Sequence, residues 1–337
     1  MTFRRTTDVS ASHQLLGSLL LGAMGCVASP AQGSTSRAPV AAAAAPRAPH
    51  ASESATPEGE LRVGGCAIDL RYDDGEPPVD PRLIESWVAA SAETVAAYTG
   101  DRFPVPTLRV TVIAGGRRGV GFGLHQDGRR IKIWVGTHAT SETFAEDWVL
   151  IHEMFHAAFP DLAREHKWMQ EGLSTYLEPV ARAQQGALTP EVVWSKWVRM
   201  MDHGRPRLGD RGLDRTHTWG RTYWGGALFW LMADLEIRKR TGNRKSLQDA
   251  VVGILEAGGN GRADWTTARV VAEGDEATNT RALADLYAAM AEAPGDVDLE
   301  TLWDELGVVV AADGSVGFDD TAPLADIRRS MTAPRES

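Results

Sequence analysis

The stretch "LIHEMFHAAFP", Leu150 to Pro160, sets His152 and His156 four residues apart with Glu153 directly after the first. On a helix, residues four apart lie one above the other, so both imidazoles can reach a single ion. Glu153 points about 100° away, close enough to the same opening to act on a water at that ion without ligating it. Two neutral nitrogens that bind zinc and a carboxylate that accepts a proton divide the work of a metallohydrolase. The plainer alternative is a core helix that carries two histidines and a solvated glutamate. Against it stand Trp148, Ile151, Met154 and Phe155, the apolar remainder of a buried helix, and a second acidic helix that follows almost at once.

That second helix is "WMQEGLSTYLE", and Glu171 is the expected third ligand. Fourteen residues separate it from His156, enough for Pro160 to end one helix, a turn to reverse the chain and the next helix to return. Glu178 lies nearly two turns further and faces the same side, so geometry alone admits either carboxylate. Glu171 stands earlier in the return helix and beside Gly172, where another backbone can approach closely.

"HEMFH" followed by "WMQEGLSTYLE" resembles the gluzincin metallopeptidases, in particular the M1 aminopeptidases and the M61 glycyl-aminopeptidase-like group. Trp168, Glu171, Gly172 and Tyr176 follow the order of that pattern. The resemblance implies an α+β fold, a thermolysin-like catalytic domain, with one catalytic zinc ion held by His152, His156 and Glu171. "TYWGGALFW" extends it: Tyr223 corresponds to a tyrosine whose hydroxyl points at the oxygen that becomes negative during attack, although glycine replaces the lysine of the "Y-x-K-G-A" pattern. Glu153 and Tyr223 are thus the expected catalytic residues, and a peptide or protein the expected substrate. The "GAMEN"-type stretch by which M1 enzymes grip a free amine is missing, so aminopeptidase and endopeptidase both stay open. A non-catalytic envelope binding module and a zinc hydrolase of a non-peptide substrate are the alternatives.

These residues need elements to hold them. "PRLIESWVAASAETVAAYTG" has helical apolar spacing and stops at Gly100, while "TLRVTVIA" and "RRIKIWVG" read as strands linked by the glycine-crowded "GGRRGVGFG". Residues 61–143 are expected to form a small mixed lobe with the second strand as the substrate edge. Residues 144–316 are expected to form a mainly helical zinc-binding lobe, with the cleft between the two, and 317–337 a C-terminal tail. A continuous helix is expected over "ETFAEDWVLIHEMFHAAF", a shorter one closed near Pro179, and a long one running to Gly242 with Arg238, Lys239 and Arg240 in its last turn. Further helices are expected around Leu247 to Leu255, Arg281 to Ala291 and Leu299 to Leu306.

The chain has 337 residues, is 43% hydrophobic and carries a formal charge of -10, with no basic stripe for nucleic acid. Arg4 and Arg5 precede the short apolar run "LLGSLLLGAMGC", which reads as a signal peptide over 1–26 and is too short to be a permanent span. "AMGC" resembles the lipobox of bacterial lipoproteins, which implies a lipid on Cys26 and a place in the cell envelope; a secreted or periplasmic protein is the alternative. Residues 27–60, rich in Ala, Pro, Ser and Thr, read as a disordered tether. With Cys26 modified, Cys66 has no partner and the domain has no disulfide framework.

Overall fold

The computed structural model of the chain describes residues 60–334. The expected signal peptide, Cys26 and the tether, apart from Glu60 at its end, lie outside the described residues. Alternating apolar residues build a five-stranded sheet from β1 (Glu60–Val63), β2 (Cys66–Tyr72), β3 (Thr107–Ala114), β4 (Val120–Gln126) and β5 (Arg130–Val135), in the spatial order β1-β2-β3-β5-β4. The three inner strands are parallel and the two outer ones antiparallel to their neighbours. Ile68 and Leu70, Leu108, Val110 and Val112, and Ile131, Ile133 and Val135 are buried, which gives the sheet one apolar face. Helix α1 (Pro81–Tyr98) joins β2 to β3. Pro81 opens it, the Asp80 side chain accepts from the Arg82 amide, and it buries Ile84, Trp87, Val88, Ala92 and Val95.

The substrate-edge expectation needs correction. "RRIKIWVG" is β5, an interior strand with β3 on one side and β4 on the other, and the free edge belongs to β4. A bulge between Val120 and Gly123 interrupts β4, and beyond it Gly123 and His125 stand opposite the buried Ile133 and Ile131, so this strand lacks the apolar alternation that marks the others.

The zinc-helix expectation is also revised in its extent. The run divides into α2 (Ser141–Glu146) and α3 (Val149–Phe155), followed by a tight 3-10 turn, His156–Ala158. Asp147 makes the break, because its carboxylate accepts from the Val149 and Leu150 amides (2.9 and 3.1 Å) and from the Trp87 indole (3.1 Å). The return helix α4 (Lys167–Gln184) passes through Pro179 rather than closing there. A proline inside a helix costs about 3 kcal/mol, but Val180, Ala181 and Ala183 beyond it are fully buried and hold the last turn in the core.

Helices α5 (Pro190–Met200), α6 (Gly226–Thr241), α7 (Leu247–Glu256), α8 (Thr267–Thr278), α9 (Ala282–Leu286) and α10 (Leu299–Leu306) follow, then a hairpin of β6 (Val308–Val310) and β7 (Val316–Phe318). Helix α11 (Ala325–Thr332) falls in the stretch expected as a tail; Gln184 donates to the Met331 carbonyl and Asn243 to the Ser330 hydroxyl. A π-helical segment, Gly220–Gly225, precedes α6. The architecture is α+β, and none of the described helices is long and apolar enough to cross a membrane.

Candidate active site

Helix α3 packs against α1, the edge strand β4 and α4, so its inner residues are held from three sides. Asp147 fixes the start of α3 to α1; burial pushes the Asp147 carboxyl above its ordinary range even though three donors oppose the shift. One turn later His152 and His156 present their imidazoles to α4. His152 Nε2 lies 3.3 Å and His156 Nε2 3.5 Å from Glu171 Oε2, with all three side chains nearly closed to solvent. Among the described residues this is the one cluster of three such groups whose donor atoms lie within 4.8 Å of one another.

Glycines let α4 come close enough. A Cβ on Gly172 would lie 2.3 Å from the Gly226 backbone, and a Cβ on Gly226 would lie 2.2 Å from the Trp168 carbonyl, so neither position accepts a side chain. Trp230 Nε1 donates to the Met169 carbonyl (2.9 Å) and the Tyr176 hydroxyl to Asp234 (2.8 Å), which joins α4 to α6 along its length. Tyr176 is fully buried and stacked on Trp197, a packing residue outside the site. The first turn of α4 is anchored by Asp214, which accepts from Trp168 Nε1 (2.8 Å) and Tyr287 (2.6 Å) and pairs with His166 Nδ1 (2.8 Å).

This crossing carries the π-helical segment to the metal cluster. The Tyr223 ring lies 6.3 Å from the His152 ring. Burial, reinforced by the charges of Glu171 and Glu153, raises the Tyr223 phenol well above its ordinary value, so it keeps its proton and can donate. Glycine stands where the "Y-x-K-G-A" pattern has lysine, and a Cβ on Gly225 would lie 2.8 Å from the end of the Leu213 side chain and 3.1 Å from the Gly204 carbonyl.

Glu153 faces β4. The His125 amide donates to Glu153 Oε2 at 2.9 Å, and a Cβ on Gly123 would fall 2.4 Å from Glu153 Cγ. Neither Gly123 nor His125 is evident from the sequence, although a glycine inside a strand, as at Gly123, is a usable signal of a close approach. The His125 ring stacks near His156 at 5.5 Å. Burial, and then the neighbouring His156, push its pKa down to about 3, so it is neutral. Lys167, also unforeseen, puts its ammonium 3.2 Å from Glu171 Oε1. Glu178 is not in the cluster: its carboxylate pairs with Arg182 and Lys196, each at 2.8 Å.

Two imidazoles and a carboxylate converging from one side fit zinc, because that donor set leaves a fourth position open for reactants. Burial would raise the Glu171 carboxyl, but the two imidazoles outweigh it and hold Glu171 well below the usual carboxylate range. Glu171 therefore stays ionised at neutral pH, as a metal ligand must.

No protein-family model and no curated protein matches the sequence. Solved structures do: an aminopeptidase N family protein from Idiomarina loihiensis is similar with a TM-score of 0.55 and 17% identity, over 75% of this chain and 49% of its own. The chain shares the fold of the matched part of that protein. An M1 zinc metallopeptidase from Deinococcus radiodurans is also similar, at 16% identity and a TM-score of 0.47, over 71% of this chain and 52% of its own. The chain thus spans about half the length of either neighbour.

Proposed function

We propose that the chain is a zinc-dependent metallopeptidase in which Glu153 activates water. The observation that carries this reading is the position of Glu153: it adjoins the His152, His156 and Glu171 cluster and is held by the main chain of the free edge strand β4. A peptide that pairs with an edge strand lies extended along it. The main-chain groups of Gly123, two residues before His125, share the side from which the His125 amide reaches Glu153. A scissile carbonyl bound there comes within reach of base and metal ligands together.

His152, His156 and Glu171 would hold the ion. When bound, zinc makes a water acidic enough to lose a proton near neutral pH and polarises the substrate carbonyl. Glu153 accepts the proton as the new carbon–oxygen bond forms, and returns it to the amine nitrogen as the carbon–nitrogen bond breaks. Tyr223, kept protonated by its surroundings, donates to the carbonyl oxygen as negative charge gathers there. The likeness in fold supports a zinc peptidase in general, and the choice between terminal and internal cleavage is left to experiment.

Elemental analysis and peptide-library profiling, with Glu153→Gln as control, test the proposal. The expected result is one zinc per chain in both proteins and cleavage by the wild type alone, with kcat in the variant lower by about 10²–10⁴. First-residue cuts identify an aminopeptidase and internal cuts an endopeptidase. Full zinc loading with no cleavage by either protein overturns the peptidase reading in favour of a binding module or a non-peptide substrate.

Export and lipid attachment at Cys26 belong to the same proposal, and rest on Arg4, Arg5, the apolar run and "AMGC". Fatty-acid labelling that is present in the wild type and lost in Cys26→Ser supports an envelope lipoprotein. Equal absence of label in both removes the anchor.

A further inference from the structure

The chain has eleven tryptophans, and Trp148 and Trp219 are the two whose side chains are exposed, at 49% and 47%. The positions of these two are not independent of the site. Trp148 stands four residues before His152, and Trp219 four residues before Tyr223. The Trp148 ring meets the His152 ring edge-on at 5.8 Å, His152 and Tyr223 are near-parallel at 6.3 Å, and Tyr223 and Trp219 are tilted at 6.4 Å. Four rings therefore run in sequence, with the two site residues in the middle and an exposed indole at either end.

Indoles are large apolar surfaces, and most tryptophans of this chain are buried: Trp168, Trp194, Trp197 and Trp230 are almost fully covered. The exposed pair comes from different elements, one at the start of α3 and one at the start of the π-helical segment. Each is fixed by its neighbours rather than free to fold away. Trp148 has the Lys196 ammonium 5.4 Å from its ring centre, and Trp219 has the His203 ring at 5.7 Å. Lys196 is itself tied to Glu178, so the cation cannot follow a departing indole.

We propose that Trp148 and Trp219 form an aromatic subsite at the mouth of the active site, and that it selects peptides with a large apolar or aromatic side chain close to the bond that is cut. This rests on the peptidase reading. The row includes His152 and Tyr223, the proposed ligand and oxyanion donor, so a substrate side chain next to the bond they act on lies beside an indole. Aromatic faces reward rings and branched aliphatic chains by dispersion and stacking, and give little to alanine or to carboxylates.

The test uses the zinc-loaded full chain and a set of alanine hexapeptides, with free and acetylated amino termini, in which one position is varied among Ala, Asp, Leu and Phe. Binding is measured in the Glu153→Gln background and kcat/KM in the active protein. Phe- and Leu-containing peptides are expected to exceed the Ala peptide by about tenfold in both measurements. Trp148→Ala or Trp219→Ala is expected to collapse that ratio toward one, and the matching Trp→Phe variant to restore most of it. Zinc content identifies an alanine variant that has lost its fold, in which case the phenylalanine variant and the other tryptophan decide the matter. Cleavage with a Phe to Ala ratio that neither tryptophan changes overturns the subsite and leaves the peptidase standing. Tryptophan-dependent preference in binding with no cleavage of any peptide overturns the peptidase and leaves the subsite. Failure to bind or cleave any member of the set overturns both.

Discussion

Helix α4 carries two glutamates seven residues apart, Glu171 near its start and Glu178 beyond its middle, and both are almost completely buried. Their surroundings differ in kind. Glu178 lies between a guanidinium and an ammonium, groups that stay charged across the working range of pH, so its negative charge is matched by the protein itself. Glu171 faces two imidazoles that are charged only when protonated, and a lysine that is 62% exposed and correspondingly screened. A buried carboxylate matched by fixed cations is a structural element; one left among imidazoles is ready for a cation from outside. Spacing alone made the two equivalent, and the partners separate them.

Removing the charge at the unmatched site should have the largest effect. Glu171→Gln keeps the volume but removes the anionic ligand, so the variant is expected to hold no zinc at micromolar protein and to show no turnover above background. Elemental analysis after dialysis reads the first and a peptide assay the second. Retention of a full zinc equivalent would transfer the ligand role to another carboxylate and undo the contrast.

The next effect sharpens the division between residues that hold the ion and residues that act on substrate. Tyr223→Phe leaves all three proposed ligands in place and removes one hydroxyl donor. Zinc content should stay at one per chain, while kcat falls by about 10²–10³, the usual loss when one donor to a developing oxyanion is removed. A fall in zinc content parallel to activity would instead make Tyr223 a support of the cluster.

Much of this site was legible in the sequence for a physical reason: helix geometry turns a spacing of four into a shared face, so His152 and His156 declared themselves, and a return helix had to follow Pro160. The core strands were equally plain because Leu108, Val110 and Val112, or Ile131, Ile133 and Val135, repeat with period two. What escaped was carried by groups without a side-chain pattern. Edge strand β4 meets Glu153 through a missing Cβ at Gly123 and a main-chain amide at His125, and periodicity of hydrophobic residues registers neither. The same holds for the run of α4 through Pro179, where burial of the following turn outweighs a local preference to stop.

That blind spot gives the third test. Gly123→Ala places a methyl 2.4 Å from Glu153 Cγ, and the flexible glutamate, not the strand, is what can yield. Zinc should remain bound, and kcat should fall by about tenfold to hundredfold, as expected when a base is displaced by about an ångström. Unchanged turnover would mean that the contact with β4 does not set the position of Glu153.

The smallest effect on chemistry should come from the matched glutamate, and there the comparison is most exposed. Glu178→Gln leaves His152, His156 and Glu171 untouched, so zinc content and kcat are expected to match the wild type. Stability should not. Arg182, only 7% exposed, would lose its ionised partner and keep only neutral acceptors, the Ala145 carbonyl and the glutamine amide oxygen. An uncompensated charge left in that position costs about 3–5 kcal/mol. Urea denaturation must be run at one fixed free zinc concentration, because bound metal adds to the stability of the folded state of both proteins. The outcome that defeats the contrast is a variant with normal stability and depleted zinc, since Glu178 would then govern the metal and Glu171 would be the structural carboxylate. Converting Arg182 and Glu178 together to Met and Gln separates the remaining possibilities: removing the stranded guanidinium as well should recover much of the lost stability, which a simple loss of packing at Glu178 would not do.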